Sequence, residues 1–408
     1  MDKIIDFMEE NIVPFSLKLR NQRHFAAIRD GVNSVSSLLI ISSFSTLILA
    51  TLKGFINENI INLLRSIFFG CFYFTGVFAC FCIANELYKS YKKSSLQGGF
   101  VSIAIFISIS SSNIIKGVFS LTYLFTAIFV AILSIELLIR IDKLQFIKIK
   151  LPSKVPLAVA STFDSFVTPI LVLFLFVSFS YILNKLTSGL YIENIITTYI
   201  QTPLKSIMNS VFGAILIPLN NSVFWTLGIH GAQSINLFTD PILSVLSAEN
   251  MMLAQQGATD GYNIITGSFF MAFVWHGGSG STFGLLIAII ICGNKYRNHH
   301  KEMLSNSIWS GLFNINETVI FSAPIVLNPI FAIPFIIIPI INTVVAYISI
   351  SLGFVSPCIV QSIPWITPPI ISGFLVTGSL SGAILSGITL LISIIGYMPF
   401  VIFNYKGR

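Results

Sequence analysis

Glu317 sits where a charge is hardest to keep. It lies in Gly311-Leu-Phe-Asn-Ile-Asn-Glu-Thr-Val-Ile-Phe321, flanked by Asn314 and Asn316, with long apolar runs on both sides. A carboxylate near hydrocarbon is disfavoured by several kcal/mol unless it is paired or wetted, so it marks a candidate functional site. Gly311 before it and Pro324 after it favour a broken helix. Such backbone is tolerated at membrane depth only where it is buried in protein or lines a cavity.

Three further clusters interrupt the second half. Trp225-Thr-Leu-Gly-Ile-His-Gly-Ala232 places His230 among the glycines Gly228 and Gly231. Trp275-His-Gly-Gly-Ser-Gly-Ser-Thr282 holds His276, Gly277 and Ser279. Pro364-Trp-Ile-Thr-Pro-Pro369 holds Trp365 and Thr367. A positioned carboxylate or imidazole can move a proton. Amides and imidazoles hydrogen-bond hydroxyl groups, and aromatic faces stack on pyranose rings. The set suits an uncharged sugar. Each member also has a plainer reading. Glu317 fits a polar surface loop, Trp225 and Trp275 an interfacial aromatic belt, and His276 a partner for a nearby carbonyl. The Gly-Gly-Ser-Gly run fits close helix packing. His230 is harder to dismiss, because it interrupts an otherwise apolar run between glycines.

The elements that must position these residues are membrane helices. Of 408 residues, 54% are hydrophobic and 10% charged, and the mean hydropathy is +0.87. Soluble domains carry about 25% charged residues. The reading is an all-α polytopic membrane protein with room for about ten spans of roughly 20 residues. The net charge of +7 falls in short loops, the pattern of cytoplasmic loops rather than of nucleic-acid binding. The acidic, amphipathic start argues against a cleavable signal peptide. The five cysteines lie in or beside apolar segments without metal-ligand spacing, and read as small buried hydrophobes. No cofactor or metal is implied.

In chain order, residues 2–15 read as an interfacial helix, followed by Lys18, Arg20, Arg23 and Arg29 on the cytoplasmic side. Spans are expected at about 32–51, 65–86, 99–115, 117–139 and 157–184, the last with Pro169 inside it. Lys89, Lys92 and Lys93 mark one inner loop, and Arg140, Lys143, Lys148, Lys150 and Lys154 another. Residues 186–204 are weakly amphipathic and divide an N-terminal half, 1–185, from a C-terminal half, 205–408. The second half has apolar stretches at about 205–227, 232–253 and 264–292, then Lys295, Arg297 and Lys301 inside. The Glu317 segment and the proline-rich 359–377 are expected to be re-entrant, beside full spans at about 330–354 and 380–403. The expected total is ten crossings, two re-entrant segments and interfacial helices, with both termini cytoplasmic.

Together these motifs resemble the membrane (IIC) subunit of bacterial phosphotransferase-system sugar permeases, in the lactose/N,N'-diacetylchitobiose/cellobiose group. The resemblance covers essentially the whole chain. It is carried by Arg23-His-Phe-Ala-Ala-Ile-Arg-Asp-Gly31, Gly228-Ile-His-Gly231, Gly277-Gly-Ser-Gly280, Asn314-Ile-Asn-Glu317, Pro324-Ile-Val-Leu-Asn-Pro329 and Pro364-Trp-Ile-Thr-Pro-Pro369. Two positions depart from the pattern. Thr318 stands where proline is usual and Ile366 where threonine is common.

The resemblance implies that a disaccharide enters from outside and is phosphorylated on its C6 hydroxyl at the inner face. The phosphate comes from a phosphocysteine on a separate IIB protein, itself served by a IIA protein. It further implies that Glu317 and His230 form the catalytic pair. Sugar contacts are expected from Gly228, Gly231, Trp225, Asn314, Asn316, His276, Gly277, Ser279, Trp365 and Thr367. A homodimer joined through the N-terminal half, in the bacterial cytoplasmic membrane among its lipids, is implied too. The residues alone also leave open a proton-coupled secondary sugar transporter, with Glu317 and His230 as its relay.

Overall fold

A computed structural model describes residues 22–93, 96–110, 119–144, 157–292, 301–323, 325–326 and 328–406. The expected interfacial helix at 2–15, Lys18, Arg20, Lys148, Lys150, Lys154, Lys295, Arg297 and Pro324 lie outside the described residues. The elements formed by the described residues are all helices, with no β-strand among them.

The helices are α1 (Arg23–Asn33), α2 (Ser36–Leu52), α3 (Glu58–Phe72), α4 (Thr75–Ser90), α5 (Gln97–Ile109), α6 (Leu124–Asp142), α7 (Leu157–Leu186), α8 (Ile192–Ile196) and α9 (Thr202–Met208). They continue as α10 (Val211–Thr226), α11 (Gly231–Gln256), α12 (Gly267–Phe273), α13 (Thr282–Ile291), α14 (Lys301–Leu312), α15 (Glu317–Ser322), α16 (Pro329–Ser351), α17 (Ile371–Thr377) and α18 (Leu380–Lys406).

Among the described residues, six stretches are long and apolar enough to cross a membrane: Arg23–Leu52, Glu58–Ser90, Leu121–Asp142, Val167–Leu186, Ile330–Ser351 and Leu380–Asn404. A seventh is available if the pair Ile192–Met208 and Val211–Thr226, bent by 75°, counts as one span. The protein is therefore a multi-pass helical membrane protein. The stretches Gln97–Ile109 and Ser279–Ile291 are apolar but short. At 1.5 Å per residue each reaches only about 20 Å, against a hydrocarbon core about 30 Å thick.

The described residues pack as two compact units. One comprises Asn21–Leu38 and Gly70–Leu204. Its core joins α4, α5 and α6 through Ile83, Leu87, Ile105, Phe106, Val130 and Ile135, all buried. One end of this unit is polar, and there the Arg23–Gly31 motif finds its structural role. His24 Nδ1 lies 2.6 Å from Gln22 Nε2, an obligate donor, so the neutral ring donates from Nε2 to Glu136 Oε1 at 2.8 Å. The Tyr91 hydroxyl also donates to Glu136, and Arg23 lies 4.6 Å from the centroid of the Tyr91 ring. Nearby, Lys93 meets Asp142 at 2.8 Å, and that hydrogen bond holds the ammonium pKa above its ordinary value.

The other unit comprises Leu39–Phe69 and Lys205–Arg408. Its core includes Leu285, Leu286, Val319, Ile320, Phe331 and Phe335. The segment Leu39–Phe69 joins it despite its distance in sequence, through contacts such as Gln255 Nε2 to Thr46 Oγ1 at 2.9 Å and Ser362 N to Ser43 Oγ at 3.1 Å.

Candidate functional site

The four polar clusters meet inside this second unit, each at a break between helices. Between α10 and α11 the chain turns through Gly228, whose φ is +81°. His230 caps α11: its Nδ1 accepts the Gln233 N–H at 3.3 Å. With Nδ1 an acceptor, the neutral imidazole carries its proton on Nε2. That Nε2 faces Glu317 Oε1 across 4.0 Å, too long for a direct hydrogen bond. The gap suits a hydroxyl that accepts from Nε2–H and donates to the carboxylate. Both side chains are partly open, 38% exposed for His230 and 49% for Glu317. Trp225 is buried and lies against the imidazole, ring centroids 4.4 Å apart, so it holds that ring in place.

Glu317 opens α15, a helix of six residues. Asn316 occupies the cap position without a side-chain cap bond, and its Nδ2 donates to the Ser279 carbonyl at 2.8 Å. Gly278 makes this approach feasible. Its φ is +92° and an added Cβ would lie 2.7 Å from Asn316 Cγ, so only glycine fits. Asn314 adopts a left-handed φ of +63°. Its Oδ1 accepts the Gly277 N–H at 2.8 Å, while Nδ2 donates to the Trp365 and Thr367 carbonyls, each at 2.9 Å. Thr318, the departure after the glutamate, places its hydroxyl 2.9 Å from Ser310 Oγ. Its backbone N–H lies in the first turn of α15, where no intrahelical acceptor is needed. Ile366 and its neighbour Trp365 are exposed, Trp365 at 60%.

The loop joining α12 to α13 is held from beneath. His276 is buried and its Nε2 lies 2.8 Å from Thr389 Oγ1. Thr389 donates to the Leu385 and Ser386 carbonyls, so His276 donates to Thr389. The Tyr397 hydroxyl donates to the Gly280 carbonyl at 2.6 Å. Thr282 Oγ1 donates to the Gly277 carbonyl at 2.8 Å. Ser279 Oγ pairs with the Asn221 side chain at 3.1 Å, and Thr367 Oγ1 donates to the Pro364 carbonyl at 2.6 Å within its own turn.

Sequence reasoning did not single out Asn221, Asn342, Thr389, Ser393 or Tyr397. A signal existed on α18, where Thr389, Ser393 and Tyr397 recur every four residues and so share one face of an apolar helix. Asn342 on α16 joins that face, its amide 2.9 Å from Ser393 Oγ. Tyr397→Phe leaves the buried Gly280 carbonyl without this donor. Stability should fall by about 1–3 kcal/mol, measured as a lower thermal unfolding midpoint of the purified protein. An unchanged midpoint would remove Tyr397 from the scaffold.

Broken helices whose polar backbone and side chains converge within an apolar bundle define a membrane protein that handles a polar solute at membrane depth. The family is resolved by comparison with known proteins. The chain belongs to the phosphotransferase system EIIC family, whose family model matches residues 30–339. It is 31% identical to the cellobiose-specific EIIC component of Geobacillus stearothermophilus, over 98% of this chain and 94% of that protein. It is 29% identical to the cellobiose-specific EIIC component of Lactococcus lactis subsp. lactis (strain IL1403), over 98% of each. Among solved structures it is similar to the transporter ChbC, the IIC component of the N,N'-diacetylchitobiose-specific phosphotransferase system, with a TM-score of 0.86 and 29% identity over 98% of each chain.

Proposed function

We propose that this chain is the membrane permease component of a phosphoenolpyruvate-dependent phosphotransferase system for a disaccharide of the cellobiose, diacetylchitobiose or lactose type. Family membership supports the class, and the names of the relatives support the substrate type. The observation that carries the chemistry is the pairing of His230 Nε2 with Glu317 Oε1 across 4.0 Å.

The C6 hydroxyl of the sugar sits between these two groups. His230 Nε2–H donates to the hydroxyl oxygen and orients it. Glu317 takes the hydroxyl proton as the oxygen attacks phosphorus. The O–P bond forms as the S–P bond of phosphocysteine on the IIB partner breaks, and the cysteine leaves as thiolate. The reaction otherwise rests on positioning and charge stabilisation. The exposed Trp365 offers a ring for stacking on a pyranose.

The arrangement in the cell follows the family. Ten crossings and two re-entrant segments place both termini in the cytoplasm of a bacterial cell. Two copies join through the N-terminal half, and IIB, recharged by IIA, docks on the basic inner loops. Vesicles test this reading against proton coupling. With phosphorylated IIB supplied inside, labelled disaccharide should accumulate as its 6-phosphate, independently of a pH gradient. Accumulation of unmodified sugar driven by the gradient, without IIB, would establish proton coupling instead.

A further inference from the structure

We propose that Asn314 is a positioning residue, whose amide locks the loop at Gly277 and the segment Trp365–Thr367 onto the turn that carries Glu317. Its partners fix which end of the amide is which. Gly277 offers an N–H, so Oδ1 must face it; Trp365 and Thr367 offer carbonyls, so Nδ2 must face them. Both amide hydrogens are then engaged with backbone. A sugar hydroxyl could accept from Nδ2 only by displacing one of those carbonyls. The partners lie 37, 51 and 53 residues away in sequence. One side chain therefore joins three separate helix breaks, three residues before the carboxylate.

The backbone supports this assignment. At φ +63° asparagine is better tolerated than most residues, and this conformation directs the amide toward both loops. Asn316 makes a parallel tie through Nδ2 to the Ser279 carbonyl at 2.8 Å. Within Asn314-Ile-Asn-Glu317, both amides are thus bound to backbone, while the carboxylate stays open to a ligand.

The functional part rests on the sugar-phosphotransfer reading above; the structural part does not. The test uses the full-length purified protein and two substitutions that suit a left-handed φ. Asn314→Asp keeps Oδ1 for Gly277 but turns a second oxygen toward the two carbonyls. Asn314→Gly removes every tie. Hydrogen exchange without sugar should show faster exchange across 364–368 in both variants, and faster exchange across 274–283 only in Asn314→Gly. Unchanged exchange in both segments for both variants would overturn the proposal.

Binding of cellobiose and each of its monodeoxy analogues is then compared. Asn314→Gly should weaken all of them by one common factor, and phosphorylation should fall by about 10²-fold, the scale expected from misplaced groups. A loss confined to sugars that retain one particular hydroxyl would make Asn314 a direct ligand and overturn the positioning role. If the unsubstituted protein bound no disaccharide, the transport reading would fail, while the exchange pattern would still decide whether the lock exists.

Discussion

Glu317→Gln is expected to separate sugar binding from sugar phosphorylation. Glutamine has nearly the same size and still hydrogen-bonds, but it lacks the negative charge and the basicity. Binding should weaken by about 1–3 kcal/mol, the range for loss of one charge-assisted hydrogen bond. Phosphorylation by IIB should fall by about 10²–10⁴-fold, the typical contribution of a positioned general base. The geometry supports this split. Glu317 opens a short helix with its carboxylate partly exposed toward His230, while the adjacent asparagines hold the turn through backbone partners. Both quantities should be measured on one preparation. Phosphorylation at the normal rate with intact binding would exclude Glu317 as the base.

Gly231→Ala is expected to damage the same reaction from the opposite side. Gly231 follows His230 of the proposed catalytic pair, and an added Cβ would meet the Asn221 carbonyl and side-chain oxygen, with the Asn221 carbonyl carbon at 2.9 Å. These atoms belong to α10 and to the buried Asn221, whose side chain is paired with Ser279, so they cannot swing aside as a flexible side chain would. The start of α11 must move, and the imidazole with it. Overpacking of this kind costs about 1–3 kcal/mol of stability. A displacement near 1 Å at the reacting groups can cost about 10²-fold in rate. A folded Gly231→Ala protein should therefore bind sugar weakly and phosphorylate it about 10²-fold more slowly. Normal turnover would show that the position of His230 does not control the reaction.

Much of the chain's organisation was legible in its sequence. The apolar runs marked the helices α2, α6, α16 and α18, because hydrocarbon admits only backbone that satisfies its own hydrogen bonds. The breaks at Gly228, Gly277 and Asn314 were visible as glycines and polar residues inside such runs. The chemistry of Glu317 and His230 could be named, since side-chain type alone sets what each can donate or accept. Among the described residues, the expected span at 99–115 is seen only as far as the short apolar helix Gln97–Ile109, and the apolar stretch 264–292 holds the short helical stretch Ser279–Ile291.

Only the tertiary structure brought Glu317 within 4.0 Å of His230, since 86 intervening residues leave no local signal of their distance. The same holds for the asparagines beside the glutamate. In sequence they look like sugar ligands, because an amide is an amide wherever it points. In the fold, Asn314 is bound to three backbone groups and Asn316 to a fourth. His276 likewise turns away to Thr389. Residue type fixes the capacity to hydrogen-bond, but the fold fixes which partner fills it. For these residues the choice fell on backbone carbonyls, a backbone N–H and the Thr389 hydroxyl, which leaves those groups partnered inside the protein.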